Sequence, residues 1–393
     1  MKRQTVLVSG AGVAGPALAY WLARSGFRPT VVERAAGQRS SGNPVDVRGE
    51  AMDVVTRMGV LPRLREAATS VSAMAIVNAA GRRIGRIAVG AADGSELEVP
   101  RADLASVLYD AARDDAEFVF GDSIATLRAD ESGVEVAFDR GGPRRFDLVV
   151  GTDGLHSAVR RMLFGAEPGY VRHLGMYVAT LPLGYRADDP ATVLMYNLPG
   201  RSVSVHPVNG SAMAAFIFRS PAIAGLDHRD IAACKQVVLD AYHGGGWELP
   251  RLLDRLRAAD DLYFDSVSRV RLPAWSQGRI ALLGDAASCM SLFGNGSSLA
   301  ITGAATLARS LAAAPDDHAT AFRAYEAEHR VRVRPTQRGR LVAGALLVPS
   351  TRVGIAARDL AVRLMPGPGA GSRMGGCMGS GCRTRPGPGG GCG

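Results

Sequence analysis

Short apolar runs along this chain alternate with glycine-rich turns and with longer segments of helical periodicity. The apolar run at residues 6–8 leads into a glycine-rich turn at 10–15, and a largely apolar segment continues to residue 23. A second apolar run at 30–32 ends in Glu33. Continuous apolar runs are typical of buried parallel strands. The pattern therefore predicts a strand, a tight turn, a helix and a second strand.

The glycine-rich turn has the composition needed for close contact with a phosphate. Its glycines are Gly10, Gly12 and Gly15, and they would let backbone amides and a helix N-terminus approach a pyrophosphate. Glu33 follows at the offset of about 20 residues expected for an acid that holds a ribose. Because strand, turn, helix, strand and acid occur in register, we predict a bound dinucleotide rather than an unliganded turn.

Two later apolar runs are each followed by a glycine and an aspartate. Residues 148–150 precede Asp153 and Gly154, and residues 280–283 precede Gly284 and Asp285. Between these runs, residues 170–270 alternate apolar and polar positions around hairpin turns, which predicts an antiparallel sheet. Helical segments are expected near 231–242 and 252–258. The whole pattern indicates an α/β fold into which a strand-rich unit is inserted.

Composition and charge exclude several other classes of protein. The chain has 393 residues, enough for two domains, and a formal charge of +9. Its arginines are scattered and accompany no nucleic-acid motif, so no nucleic-acid partner is predicted. No apolar run reaches the roughly 18 residues of a membrane span. The five cysteines lack metal-ligand spacing. We therefore expect a cytoplasmic protein with no metal and no membrane partner.

The three glycine-containing runs together resemble one known family. With the loop at 294–298, they make the chain similar to the single-component FAD-dependent aromatic hydroxylases, the p-hydroxybenzoate-hydroxylase-like monooxygenases. Within that family the chain looks most like tetracycline-inactivating and polyketide-tailoring members. The resemblance covers roughly residues 4–345. It implies a Rossmann-like, GR2-type FAD-binding domain with an inserted α+β substrate domain on an antiparallel sheet, followed by C-terminal helices.

The resemblance also implies a discontinuous domain organisation. The expected units are an FAD-binding domain at 1–73, 98–170 and 275–320, a substrate-binding domain at 74–97 and 171–274, a C-terminal helical segment at 321–365, and a Gly/Pro-rich tail at 366–393. The tail lacks apolar periodicity, and such a composition cannot bury enough surface to fold. Disorder is therefore expected there.

Individual cofactor contacts follow from the same resemblance. The glycine-rich turn would face the FAD pyrophosphate, Glu33 would hold the adenosine ribose and Arg34 would lie beside the adenine. The full set of predicted cofactor-binding residues is Gly10, Gly12, Val13, Ala14, Gly15, Glu33, Arg34, Arg48, Arg101, Asp153, Gly284, Asp285, Gly294, Asn295, Gly296 and Ser297. Arg48 and Arg101 could instead be ordinary surface arginines, and Asp153 could only cap the next helix.

Asp285 has the most specific predicted role. A carboxylate at the end of a core strand can accept strong, charge-assisted hydrogen bonds from the ribityl hydroxyls of a flavin. The glycine-rich loop at 294–298 precedes a helix whose dipole can stabilise negative charge on reduced flavin. Ser288, Met290 and Leu292 depart from the family pattern, in which a histidine and prolines are common. The departure puts the rigidity of this loop in doubt.

The implied activity is hydroxylation of an aromatic or polycyclic small molecule, such as a natural product or antibiotic. It would use FAD, O2 and NADPH or NADH through a flavin C4a-hydroperoxide, with few side chains acting directly. The chain is expected to be a monomer or homodimer. The sequence does not identify a base that would deprotonate the substrate. The substrate-lining candidates are Met195, Tyr196, Asn197, His206, Phe216, Phe218 and Phe293.

Two other functions stay open at this point. One is an FAD-dependent reductase or dehydrogenase that shares the fold but inserts no oxygen. The other is a binding or escort module that has lost the flavin, because a fold alone never establishes chemistry.

Overall fold

The computed structural model describes residues 3–37, 43–91, 93–292, 295–337 and 341–364. The strands are β1 (Thr5–Ser9), β2 (Arg28–Glu33), β3 (Pro44–Arg48), β4 (Ala73–Val77), β5 (Arg83–Ala88), β6 (Glu96–Pro100), β7 (Glu117–Phe120), β8 (Ile124–Ala129), β9 (Val134–Phe138), β10 (Arg144–Phe146), β11 (Leu148–Gly151), β12 (Val171–Pro182), β13 (Thr192–Leu198), β14 (Arg201–Val208), β15 (Ser211–Arg219), β16 (Tyr263–Val270), β17 (Ser276–Gln277) and β18 (Ile280–Leu282).

The helices surround these strands and follow them at the C-terminal end of the described chain. They are α1 (Ala14–Arg24), α2 (Glu50–Arg57), α3 (Leu61–Ala67), α4 (Arg101–Ala112), α5 (Ala158–Phe164), α6 (Ile231–Ala241), α7 (Leu249–Ala258), α8 (Asp285–Ser288), α9 (Gly296–Ala313), α10 (His318–Gln337), α11 (Leu341–Leu347) and α12 (Arg352–Leu364). Phe293, Gly294 and the predicted tail at 366–393 lie outside the described residues. Within the described ranges, no helix combines the length and apolar character needed to cross a bilayer.

Six of the described strands form one sheet, which includes β1, the strand before the first glycine-rich turn. Their order is β17-β18-β11-β1-β2-β7, and every neighbouring pair is parallel except β17 with β18. β11 and β18 are buried along their whole length, which explains the continuous apolar runs in the sequence. The carboxyl ends of β1, β11 and β18 are adjacent, so the segments that follow them meet at one edge of the sheet.

A second sheet is built mainly from the strand-rich insertion. Seven of the described strands run in the order β16-β12-β15-β14-β13-β4-β5. All neighbouring pairs are antiparallel except β13 with β4, which is parallel. The long connection between β4 and β13 permits either direction. The fold class predicted from the sequence is confirmed, whereas the residue boundaries of the domains stay a prediction.

The two faces of this seven-stranded sheet differ in what covers them. One face packs in an apolar core with residues of α6 and α7, including Val238 and Leu252. The opposite face packs with Leu347 and Val348 at the end of α11 and with Leu292. Because side chains alternate along a strand, each residue belongs to one of these faces only.

Three of the substrate-lining predictions are corrected by this arrangement. Tyr196, Phe216 and Phe218 lie in the core beneath α6 and α7. The ring of Phe216 packs edge-on against Tyr242 of the segment that follows α6, with 5.1 Å between ring centroids. Their aromatic character reflects core packing, because a sheet covered by helices on one face needs large apolar side chains there.

An ion-pair cluster around His156 joins the two large sheets. His156 follows β11, and its Nε2 lies 3.0 Å from Asp265 Oδ1 on β16. Its Nδ1 lies 3.6 Å from Glu167 Oε2, and its ring stacks on His228 at 3.8 Å between centroids. Burial opposes protonation, but the two carboxylates outweigh it and raise the pKa of His156 to about 9.

The Phe216→Ala variant is expected to lower the free energy of unfolding by roughly 3–5 kcal/mol, because it leaves a cavity in a closed core. Denaturant unfolding monitored by circular dichroism measures the change. Phe216→Leu, which retains most of the buried volume, is the matched control and should lose much less. An unchanged unfolding midpoint for Phe216→Ala would show that this side chain is not packed as described.

The His156→Gln variant should be less stable than the unmodified chain in a pH-dependent manner. Since the pKa is raised from 6.5 to about 9, the stabilisation is complete below pH 6.5 and is lost as the pH rises through 9. The expected difference is roughly 2 kcal/mol at pH 6 and near zero at pH 10. Unfolding curves at both values test this, with exposed His243→Gln as the control. Equal differences at the two pH values would contradict the assignment.

Candidate cofactor and substrate site

Two glycines of the first turn are required by packing within the chain. Gly10 has a φ of +108°, and a Cβ built there would lie 2.8 Å from the carbonyl oxygen of Thr152. A Cβ on Gly15 would lie 1.9 Å from the Gly10 carbonyl oxygen. The Thr152 hydroxyl lies 2.8 Å from the Ser9 carbonyl oxygen and 2.9 Å from that of Gly10, and donates to this pair. The first and second glycine-containing runs are therefore in direct contact.

Gly12 differs from these two because it borders open space. A Cβ built at Gly12 would have no described atom within 4 Å. Val13 precedes α1 without a side-chain cap, and no acidic residue stands in the first turn of this helix. The first amides of a helix need acceptors. A phosphate fits this position, because it would satisfy the amides and complement the helix dipole.

Glu33 shapes the same turn from the end of β2. Its Oε2 accepts a hydrogen bond of 2.9 Å from the Ala11 amide, and its Oε1 accepts one of 2.9 Å from the Ala35 amide. Each carboxylate oxygen can accept more than one hydrogen bond, so capacity for ribose hydroxyls remains. Arg34 follows directly and is exposed.

Asp153 supports the start of α5, whose N-cap residue is Ser157, while lying against the glycine-rich turn. Its carboxylate accepts hydrogen bonds from the Ser157 hydroxyl and, at 3.1 Å, from the Val159 amide. Burial raises its pKa. A Cβ built at Gly10 would lie 3.0 Å from the Asp153 Cα. Asp153 thus satisfies one amide in the first turn of α5, and its contact with the FAD pyrophosphate stays a prediction.

The third glycine-containing run packs against the first. A Cβ built at Gly284 would lie 3.2 Å from the Cβ of Ala14 and 3.7 Å from that of Ala300. Asp285 begins α8, and its Oδ1 would lie 3.6 Å from a Cβ on Gly296. The carboxylate of Asp285 therefore stands beside the N-terminus of α9. This pairing of an acid with free helix amides suits a group with both hydroxyls and developing negative charge.

The start of α9 is held by Arg48 and by Ser298. The Arg48 guanidinium donates to Asn295 Oδ1 and, at 3.4 Å, to Glu96. The Arg48 amide donates to Ser298 Oγ at 3.1 Å, and Ser297 lies between these two contacts in the first turn of the helix. The Nε of Arg48 is buried without an acceptor in the described part of the chain. Arg48 is therefore more than an ordinary surface arginine.

Arg101 is an exposed residue at the start of α4. Its charge acts on Tyr263 of β16: burial raises the pKa of this phenol well above its usual range, and Arg101 opposes that rise. Arg101 therefore lies within electrostatic range of β16. Its contact with the cofactor stays a prediction.

Two residues behind the site were not assigned a role from the sequence. The Thr152 hydroxyl donates to the carbonyl oxygens of Ser9 and Gly10 and so holds the start of the glycine-rich turn. Arg160, which the sequence places three residues after Ser157, is buried and donates to the carbonyl oxygens of Leu155 at 2.5 Å and Ala286 at 3.1 Å. It thereby ties α5 to α8, the segment that carries Asp285. A buried arginine cannot be recognised from an arginine-rich sequence.

The remaining substrate-lining candidates lie on the face opposite α6 and α7. Met195 pairs with Ser204, and His206 lies two residues further along β14 on the same face. Ser204 Oγ lies 2.9 Å from His206 Nε2. Burial lowers the pKa of His206 to about 4, so its imidazole is neutral at pH 7. Thr180, in line with Ser204 across β15, has a buried hydroxyl with no acceptor or donor among the described residues.

Asn197 shares this face but has a structural role. Its Nδ2 donates to the Leu347 carbonyl oxygen at 2.9 Å, and its Oδ1 accepts from Arg358 at 3.0 Å. Both ends of the amide therefore hold the C-terminal helices on the sheet. This corrects its assignment as a substrate-lining residue, because the amide is already engaged.

No group of three or more histidine, cysteine, aspartate or glutamate side chains that could hold a metal ion occurs in the part of the chain that the structure describes.

Comparisons with known proteins identify the family. The model of the FAD binding domain family matches residues 3–338. An uncharacterized protein of Mycobacterium tuberculosis is 40% identical over 333 residues, which are 83% of this chain and 89% of that protein. A flavin-dependent monooxygenase of Legionella longbeachae is 35% identical over 332 residues, covering 83% of this chain and 85% of the relative.

A solved structure agrees with these sequence matches. The crystal structure of the tetracycline destructase Tet(51) superposes with a TM-score of 0.81 at 30% identity, over 92% of this chain and 96% of that one. The residues around the glycine-rich turns fit FAD, and the family model supports it as the cofactor. The chain belongs to the FAD-dependent monooxygenases of the FAD binding domain family.

Proposed function

We propose that this enzyme transfers one oxygen atom from O2 to an aromatic or polycyclic small molecule, with NADPH or NADH as reductant. The observation that carries the proposal is the close packing of three pairs, Gly10 with Asp153, Gly284 with Ala14 and Gly296 with Asp285, around the N-termini of α1 and α9. The relatives named as monooxygenases favour oxygen transfer, and the tetracycline destructase favours a polycyclic substrate. Cytoplasmic location and a monomeric or dimeric state stay predictions.

The residues of the six-stranded sheet would bind the cofactor and fix its position. The N-terminus of α1 would hold the pyrophosphate, Glu33 the adenosine ribose and Asp285 the ribityl hydroxyls. Bound FAD would supply electron acceptance from the nicotinamide and activation of oxygen. The N-terminus of α9 would stabilise negative charge, because its dipole and free amides face that position.

We call the face of the seven-stranded sheet opposite α6 and α7 the inner face. This face would orient the substrate. Met195 and Met213 provide apolar contact, whereas Ser204, His206 and the Thr180 hydroxyl provide hydrogen bonds. Neutral His206 can donate from one nitrogen and accept at the other. A flat apolar body that carries hydroxyl or carbonyl oxygens matches this mixture. Leu292, from the segment after Asp285, packs on the same face and brings it next to the cofactor position.

The decisive experiment follows oxygen from gas to product. Purified enzyme reconstituted with FAD is supplied with NADPH or NADH and a panel of phenolic and polyketide compounds under isotopically labelled O2. We expect substrate-stimulated oxidation of the nicotinamide and a product that gains one labelled oxygen atom by mass spectrometry. Turnover without label in the product would instead identify a reductase or dehydrogenase.

The Asp285→Ala variant should fold but bind FAD roughly tenfold to hundredfold more weakly, because hydrogen bonds to a charged group contribute about 1.5–3 kcal/mol. Flavin absorbance per protein and titration of the apoprotein with FAD measure the loss. Asp316→Ala, which removes an exposed acid from the loop between α9 and α10, is the control. Full FAD occupancy in Asp285→Ala would overturn the assigned role.

A further inference from the structure

Four arginines gather beside the cofactor site without acidic neighbours. Arg269 lies on β16, Arg172 is its direct cross-strand neighbour on β12, and Arg271 follows β16 immediately. Arg334 comes from the last turns of α10. Arg269, Arg271, Arg334 and Gln337 line a surface cavity of about 430 Å³. We call Arg172, Arg269, Arg271 and Arg334 the arginine cluster.

The positive charge of the arginine cluster is not balanced within the chain. Among the described residues, none of the four guanidinium groups lies within 4 Å of an Asp or Glu carboxylate. The remaining parts of the sequence contain no Asp or Glu side chain. On the same helix, Arg330 pairs with Glu326 at 2.7 Å and Arg332 with Glu328 at 3.0 Å. The helix thus changes from paired to unpaired arginines where it reaches the cavity.

Arg269 is the most constrained member of the cluster. Burial and the charges of Arg271 and Arg172 lower the pKa of its guanidinium. Its Nε is buried and has no acceptor in the described structure. Like charges placed directly opposite each other destabilise an antiparallel pair. An anion in the cavity would offset this repulsion and accept the available hydrogen bonds.

The cavity lies directly behind the segment that follows Asp285. Gln337 donates from Nε2 to the carbonyl oxygens of Val270 at 3.1 Å and Ser288 at 3.3 Å. The Val270 amide donates to the Cys289 carbonyl oxygen at 3.0 Å, and Arg269 forms a β-bridge with Met290. One stretch of chain therefore separates the arginine cluster from the predicted flavin position.

We propose that the arginine cluster binds the phosphate groups of the reduced nicotinamide dinucleotide. This inference rests on the proposed function, which requires that dinucleotide as reductant. The single complete glycine fingerprint of the chain serves FAD, so the second dinucleotide needs phosphate contacts elsewhere. Guanidinium groups suit this task, because their paired N–H donors match two phosphate oxygens. Among the described residues, the cluster is an uncompensated cationic site next to the segment that follows Asp285.

The test compares the unmodified enzyme with the Arg269→Gln/Arg271→Gln double variant. We expect the KM for NADPH and NADH to rise roughly tenfold to hundredfold, with kcat changed by less than about twofold. Inorganic pyrophosphate should raise the Tm of the unmodified enzyme and not that of the variant. Without pyrophosphate the variant should be at least as stable as the unmodified enzyme, whereas arginines with a structural role would lower its Tm. Arg255→Gln, an exposed arginine on α7, is the control for net charge.

Each arm can overturn the inference separately. An equal pyrophosphate shift in both proteins would show that the cluster is not an anion site. A lost shift with an unchanged KM would show an anion site that does not serve the dinucleotide. If the FAD-loaded enzyme never oxidises NADPH or NADH with any tested substrate, the proposed function fails, while the pyrophosphate arm still decides whether the anion site exists.

Discussion

Close backbone packing between Gly10 and the Thr152–Asp153 segment is the constraint on which the cofactor site depends. A side chain at Gly10 would collide with the Thr152 carbonyl oxygen, and one at Gly15 with Gly10 itself. Because these atoms touch, β1 and β11 end at the same level and α1 starts beside Asp153. The contact of Gly284 with Ala14 then brings Asp285 to the same edge. The close packing at these glycines brings three distant parts of the chain together.

If one face of the seven-stranded sheet binds the substrate as proposed, the two faces of this sheet have separate tasks. The outer face, which α6 and α7 cover, carries large aromatic side chains. These side chains form the apolar core between the sheet and the two helices. The inner face carries small polar groups, several methionines and a neutral histidine. Under that proposal, variation on the inner face would change substrate preference without disturbing the core beneath α6 and α7, because alternate residues of a strand face opposite ways.

Charge is distributed unevenly around this framework. In the cluster of His156, Asp265 and Glu167, groups of opposite charge face each other and join the two sheets. The arginine cluster behind the Asp285 segment is not balanced, and its like charges lie directly opposite across β12 and β16. Clusters of opposite charge stabilise contacts within the chain, whereas clustered like charges repel each other and attract counter-ions. This difference is the physical basis for assigning it a ligand.

The sequence by itself determined the local elements and the cofactor class. Continuous apolar runs before Gly10, Asp153 and Asp285 indicated buried parallel strands, and the glycine spacing indicated a phosphate-binding turn. Only the tertiary structure decided which face of a strand each side chain occupies, and so removed Tyr196 and Phe216 from the substrate surface. Local sequence sets backbone conformation through short-range sterics. Burial, pairing of charges and the face that a helix covers depend on contacts between separate elements, such as Phe216 with Tyr242 or His156 with Asp265.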